Sequence, residues 1–350
     1  MSQTTPSRPF DVAALFPQLA PLARTATRLH PRPGSPTPRD SSVGGPLLWP
    51  AGEPWPHCDG PHEWDGVNVA LSPEDVRVLR RSRAAAEDRR RRDPQEPWAT
   101  PEELATEKRI MAGRPWPEGA IAMLPVAQLY MRDVPLLDRP AQSEADLLQV
   151  LWCPFNHPEH PRTALFWRSE ATVAEVLATP PEPSAIQFDT YLPEPCLLTP
   201  ELVTEYPDYL ELGQELQDQL GDWSRWQAAA GVAPDSSYEV APQELYMDML
   251  STSPGWKTGG WTRWGLTNPV PRLCQECGTE ADPLLTIATT EWNGGSGESW
   301  SPEEEPANPT PLIPGTPPAN FTMIDIAGGY DLQLHVCPAS PNHPHIELIQ

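Results

Sequence analysis

Residues 153–161 read CPFNHPEHP, and residues 337–345 read CPASPNHPH. Each stretch sets Cys-Pro at the end of an apolar run that begins with Asp, DLLQVLWCP at 146–154 and DLQLHVCP at 331–338, and each then continues to Asn-His-Pro. A short apolar run bounded by Asp and Pro reads as a strand running into a turn, so one strand-and-turn unit is written twice. Working outward, each copy is preceded in the same order by a Gly-Gly turn (Gly44-Gly45; Gly259-Gly260), a cysteine-bearing turn 13 or 14 residues further on (Cys58; Cys274) and another strand. Each is followed by a last strand. Proline and glycine richness could imitate any one of these features, but a shared series marks an internal duplication.

The runs AIAMLPVAQLY (120–130), DLLQVLWC (146–153) and TALFWR (163–168) predict an antiparallel meander, and DPLLTIAT (282–289), GYDLQLHVCP (329–338) and HIELIQ (345–350) predict its counterpart, with Cys153 and Cys337 at equivalent positions. Residues 171–250 read as helical: EATVAEVLAT, then TPELVTEYPDYLELGQELQDQL with Thr199-Pro200-Glu201 as a start signal, then PQELYMDML. Leu210, Leu212, Leu216 and Leu220 recur there at helical spacing. The expected fold class is therefore α+β, mainly β, with internally duplicated antiparallel-sheet units joined by a helical segment. Its boundaries are an N-terminal helix and Pro-rich linker over 1–42, a first repeat over 43–170, a helical connector over 171–250 and a second repeat over 251–350. Within the first repeat, residues 72–92 are an Arg-rich helical insertion with no counterpart in the second, and so are expected to be a removable surface element.

The composition narrows the partners. With 48 prolines and 22 glycines among 350 residues, many segments must be turns, while 14 tryptophans argue for a packed core. The formal charge of −24 repels nucleic acid and anionic membranes and suits a basic protein partner. Eight arginines crowd into RVLRRSRAAAEDRRRR (77–92), but Glu87 and Asp88 interrupt the run, which reads as a solvated helix capped by Ser72 with Pro73 at its first position. The opening MSQTTPSRPFDVAALFPQLAPLA has no basic leader followed by an unbroken apolar core, and no window supplies about 18 uninterrupted apolar residues, so a cytoplasmic location is expected.

Six cysteines without a secretory signal point to reduced thiols or metal ligands rather than disulfides. CQECG (274–278) is a Cys-x-x-Cys turn followed by Gly, a geometry that lets two thiolates reach one tetrahedral zinc. The repeat nominates Cys337 and His343 to complete a structural zinc site with Cys274 and Cys277, with His335 and His345 within reach. The first half offers His57, Cys58, His62, Cys153, His157 and His160, a related set without the second knuckle cysteine and therefore expected to hold fewer ligands. The other state open to these thiols is that of small buried hydrophobes, which is the reading for Cys196 between Pro195 and Leu197.

No catalytic signature survives inspection. GGSGES (294–299) is not a nucleophile elbow, GWKTGG (255–260) is not a phosphate loop, and no H-E-x-x-H occurs. The segments VGGPLLWP, MLPVAQLY, TPELVTEYPDY, GGWTRWG, CQECG and GYDLQLHVCPASPNHPHIELIQ, spread over residues 43–350, resemble the YwqG-like (DUF1963) family. DLLQVLWCPFNHPEHPRTALFWR (146–168) also resembles, more distantly, the programmed cell death protein 2 family. The first resemblance implies a mainly β, duplicated fold without an established activity; the second implies a zinc-bearing chaperone that holds a basic ribosomal protein. The expected function is a non-enzymatic cytoplasmic protein-binding module, chaperone-like or toxin-neutralising, acting on a basic protein. The alternative is a hydrolase-type enzyme with a site between the repeats lined by His157, His160, His343 and acids.

Overall fold

Strand pairing follows the two apolar meanders and extends well beyond them. A computed structural model of the chain describes residues 3–62, 69–135, 137, 144–157, 159–230, 241–306, 311 and 317–350. Pro158 of the first Asn-His-Pro, residues 231–240 of the expected connector and much of the long loop before residue 317 lie outside the described residues. The strands of the first half are β1 (Arg24–Arg28), β2 (Arg32–Pro33), β3 (Ser42–Val43), β4 (His57–Cys58), β5 (Ile121–Ala122), β6 (Leu124–Tyr130), β7 (Leu147–Asn156) and β8 (Pro161–Arg168). Those of the second are β9 (Cys196–Leu197), β10 (Glu201–Glu205), β11 (Lys257–Gly259), β12 (Asp282–Ile287), β13 (Leu332–Val336) and β14 (Ile346–Ile349). Helices α1 (Val12–Leu15), α2 (Pro73–Arg92), α3 (Pro101–Ile110), α4 (Gln214–Leu220), α5 (Trp223–Ala230), α6 (Pro242–Leu245) and α7 (Gly297–Trp300) lie outside the sheets. The fold is α+β and mainly β.

Two six-stranded antiparallel sheets have the orders β2-β9-β3-β6-β7-β8 and β10-β1-β11-β12-β13-β14, and β4 and β5 form a separate ribbon. Their registers correspond residue by residue. In one, Leu124 faces Trp152, Pro125 faces Leu151, and the ladder skips Val126 before Ala127 meets Val150. In the other, Asp282 faces Val336, Pro283 faces His335, and the ladder skips Leu284 before Leu285 meets Leu334. The shared bulge has a shared cause, since Pro125 and Pro283 have no N–H to give the ladder. Counted from these bulges, Cys153 and Cys337 each stand one residue beyond the partner of the residue before the proline. The same count aligns the Gly-Gly turns: Val43 pairs with Ala127 and Thr258 with Leu285, and the glycine after each, Gly44 and Gly259, has a left-handed φ of 64° and 65°.

The halves are interlocked. Strand β1 lies between β10 and β11, and β9 lies between β2 and β3, so the first strand of each half is built into the other half's sheet. Arg28 pairs with both Lys257 and Glu201, as Leu197 pairs with both Ser42 and Arg32. Residues 1–42 are therefore not a helix and linker outside the core: Ala26, Thr27 and Arg28 are buried, and β1 is central in its sheet. Nor does Thr199-Pro200-Glu201 start a helix, because Glu201–Glu205 pairs along its length with β1. Local propensity loses in both places to partners far away in the sequence. The connector is helical only from α4 onward, where Leu212 and Leu220 join Phe16, Leu19 and Trp226 in a satellite core, while Leu210 remains exposed.

On β7, Leu148, Val150 and Trp152 face the shared core, and on β13, Leu332, Leu334 and Val336 do the same. The opposite face of β7 carries Leu151, Cys153 and Phe155 against Trp49 and Trp55. Period-two alternation thus puts both Cys153 and Cys337 on the outer face of their sheets. Helix α2 starts as expected, with a Ser72–Asp75 capping box and Pro73 at its first position. It is not a removable surface element, because Val76 and Leu79 are buried in the main core with Ile110 of α3. Its arginines are largely taken up by Glu74, Glu87, Glu103, Glu182 and Glu194.

Candidate metal centres

The second knuckle is a tight hairpin. Leu273 bridges Glu280, the Cys274 amide donates to the Thr279 carbonyl, and the Gly278 amide donates to the Cys274 carbonyl. Gly278 adopts φ 71°, which a side chain would resist, and this lets the turn fold Cys277 back toward Cys274. Cys337 arrives from the end of β13 and His343 from the turn beyond it. The ligand atoms of Cys274, Cys277, Cys337 and His343 lie within 4.8 Å of one another. Cys277 Sγ is 3.5 Å from Cys337 Sγ, and His343 Nδ1 is 3.3 Å from Cys337 Sγ and 3.4 Å from Cys274 Sγ. A tetrahedron with metal–sulfur and metal–nitrogen bonds of about 2.3 and 2.0 Å has edges of roughly 3.3–3.8 Å, so the separations are those of a shared ion.

The first half forms the same object. Cys58 on β4 pairs with Ile121 of β5 as Cys274 faces Thr279. Its knuckle is Cys-x-x-x-His rather than Cys-x-x-Cys, with His62 standing where the second half has Cys277. Cys58, His62, Cys153 and His157 bring their ligand atoms within 4.8 Å, with Cys58 Sγ to His157 Nε2 at 3.5 Å and Cys153 Sγ to His62 Nε2 at 3.2 Å. The expectation that this half keeps the shape with fewer ligands is corrected: it has four. The clue in the sequence was the histidine four residues after Cys58, two past the left-handed Gly60. Reading the turn only for cysteines hides it.

The remaining nominated histidines serve elsewhere. His57 Nδ1 faces the Trp55 carbonyl at 2.8 Å, and buried His335 faces Thr262 Oγ1 at 3.0 Å. His345 Nε2 lies 2.7 Å from Thr163 Oγ1, and His160 Nδ1 lies 3.6 Å from Glu347 Oε2. Cys196 is fully buried in the main core, its thiol turned to the Phe321 carbonyl at 3.3 Å.

Electrostatics prepare both groups for a cation. Burial and then the Arg162 charge lower the His157 pKa to about 4, and the same two causes lower that of His62, so both imidazoles are neutral and free to donate a lone pair. Burial raises the Cys153 and Cys337 thiols, whereas the Thr279 hydroxyl and amide lower exposed Cys277 to about 6. Buried thiols of this kind become thiolates when a metal ion supplies the compensating charge. Each group offers four protein ligands, which complete a tetrahedral shell.

No family model matches the chain, and no curated protein matches it either.

Proposed function

We propose that the protein is a non-enzymatic, cytoplasmic protein-binding module whose two halves are each pinned by a structural zinc ion, and that it holds a basic protein partner. The observation that carries this reading is the closure of both ligand sets. A catalytic zinc keeps a coordination position for water or substrate, and a structural one fills all four from the protein. Two histidines of the hydrolase alternative, His157 and His343, are spent in different four-ligand groups. At the junction of the halves, Thr163, His345 and Glu347 converge, but they do not form a relay. Glu347 accepts directly from the Thr163 hydroxyl and approaches the same His345 nitrogen, Nε2, that faces that hydroxyl. Thr163 is only 5% exposed.

A basic partner is favoured by charge that the fold leaves uncompensated, since acidic residues outnumber basic ones 48 to 24 and many of the arginines are already paired within the chain. The resemblance to the YwqG-like and programmed-cell-death-2 families supports the same reading. Titration calorimetry with a Lys/Arg-rich peptide and an acidic peptide of equal length tests it. Saturable binding of the basic peptide that weakens but persists at physiological salt is expected; equal or absent binding of both, or turnover of a panel of ester and amide substrates, overturns it.

A further inference from the structure

Beside each Gly-Gly turn lies a cavity, of 580 Å³ in the first half and 500 Å³ in the second. By the shared register, Pro46, Leu124 and Pro125 on the first correspond to Trp261, Asp282 and Pro283 on the second. The walls have diverged in chemistry. The second is polar, with Arg24 stacked 3.6 Å from the Trp261 ring centre and Glu211, Arg272 and Glu280 around it. Its neighbouring turn is closed by the buried Lys257–Glu205 pair, where the Lys257 Nζ to Glu205 Oε1 distance is 2.7 Å. The first is walled by prolines with Leu124, Leu192 and Met323. One side is covered by α2, which presents Arg77, Arg80, Arg81 and Ala84 to the cavity as a single helical stripe. The second half has no such helix: Cys274 and Thr279 are joined by a four-residue turn.

We propose that the first cavity is a binding site for a small amphipathic anion, its apolar body against the prolines and its acid group on the α2 arginines. The volume and apolar walls are those of a ligand pocket. The charge is complementary: three guanidiniums and only two carboxylates, Glu182 and Glu194, line it in a molecule of net charge −24. Two of the three are available. The Arg77 and Arg81 side chains are 39% and 63% exposed, and their partners Glu182 and Glu74 are 49% and 59% exposed, so these are surface pairs that a ligand's acid can replace. Arg80 is not available, because it is buried and donates to the carbonyls of Asp189 and Leu192 at 2.8 Å. The site uses none of the eight cysteine and histidine ligands, so it stands apart from the zinc and partner reading.

Fluorescence titration with 8-anilinonaphthalene-1-sulfonate, an aromatic anion, tests the site on the full chain. One saturable site per chain is expected, displaced by decanoate and not by decylammonium. Ala84→Trp, at an exposed helix position facing the cavity, is expected to remove binding without lowering the melting temperature. Arg81→Glu is expected to weaken binding about tenfold, and Arg109→Glu, on exposed α3, by less than about twofold. Absence of a saturable site, unchanged affinity in folded Ala84→Trp, equal effects of Arg81→Glu and Arg109→Glu, or displacement by decylammonium as readily as by decanoate would each overturn the proposal.

Discussion

Single residues decide how each half is held. Cys277 and His62 occupy the same place in the two knuckles, yet one is a thiol and the other an imidazole, giving a Cys3His group and a Cys2His2 group. Purified under reducing, chelator-free conditions, the protein is expected to carry two equivalents of zinc by elemental analysis. Cys277→Ala and His62→Ala should each reduce this to one and lower stability by several kcal/mol, because metal-binding energy is folding energy in such groups. Cys196→Ala, a packing change only, should keep both ions and cost about 1 kcal/mol; a single zinc equivalent in the unaltered chain would refute the reading of the first group. A second residue-scale feature is the fully buried Lys257–Glu205 pair, in which Glu205 also accepts from the amides of Ser253 and Trp261 at 2.8 Å. Lys257→Ala leaves that carboxylate uncompensated and should destabilise by about 3–5 kcal/mol in denaturant titration.

Among the elements, α2 is the one whose role the sequence misstates. Its polar, arginine-rich composition describes the solvent face, while Val76 and Leu79 reach the main core. Replacing residues 72–92 with a short linker should therefore lower the melting temperature substantially, since those two side chains alone contribute about 1.5–3 kcal/mol each through burial; an unchanged melt would return the helix to the surface. The start of α2 also carries a pH dependence. A 2.6 Å hydrogen bond from Arg114, with further ones from the Ser72 hydroxyl and amide, lowers Asp75 from the usual carboxylate range to about 2. A depressed carboxylate contributes stability above its unfolded pKa of about 4 and loses it as pH falls through the folded value. The destabilisation caused by Asp75→Asn should accordingly be full at pH 7, on the order of 1 kcal/mol for a lost cap and ion pair, and should shrink between about pH 4 and pH 2. Thermal melts of both chains across that range measure it.

At the scale of the whole molecule, the exchange of β1 and β9 makes the halves mutually dependent. Neither six-stranded sheet can be completed from its own half, and each missing strand lies at an interior position. Fragments 1–180 and 181–350 are thus expected to be poorly folded when produced separately and to give a stable complex when produced together, read by circular dichroism and size-exclusion chromatography. Two independently folded fragments would contradict the pairing of Arg24–Arg28 with β10 and β11.

What the sequence determined by itself is local and repeated: the meanders from apolar runs cut by Pro and Asp, the knuckle from Cys-x-x-Cys-Gly, and the equivalence of Cys153 with Cys337 from one phrase written twice. Those features depend on neighbours within a few residues, where alternation, turn chemistry and ligand spacing act directly. The tertiary structure alone decided the rest. RTATR at 24–28 carries no mark of a central strand, because its buried character comes from β10 and β11, over 170 residues away. ELVTE at 201–205 looks like a helix start until β1 is laid beside it. His62 becomes a ligand only when β7 brings Cys153 and His157 to the turn that carries it. In each case the sequence allows several conformations of similar local energy, and the choice among them is made by partners that only the folded chain brings together.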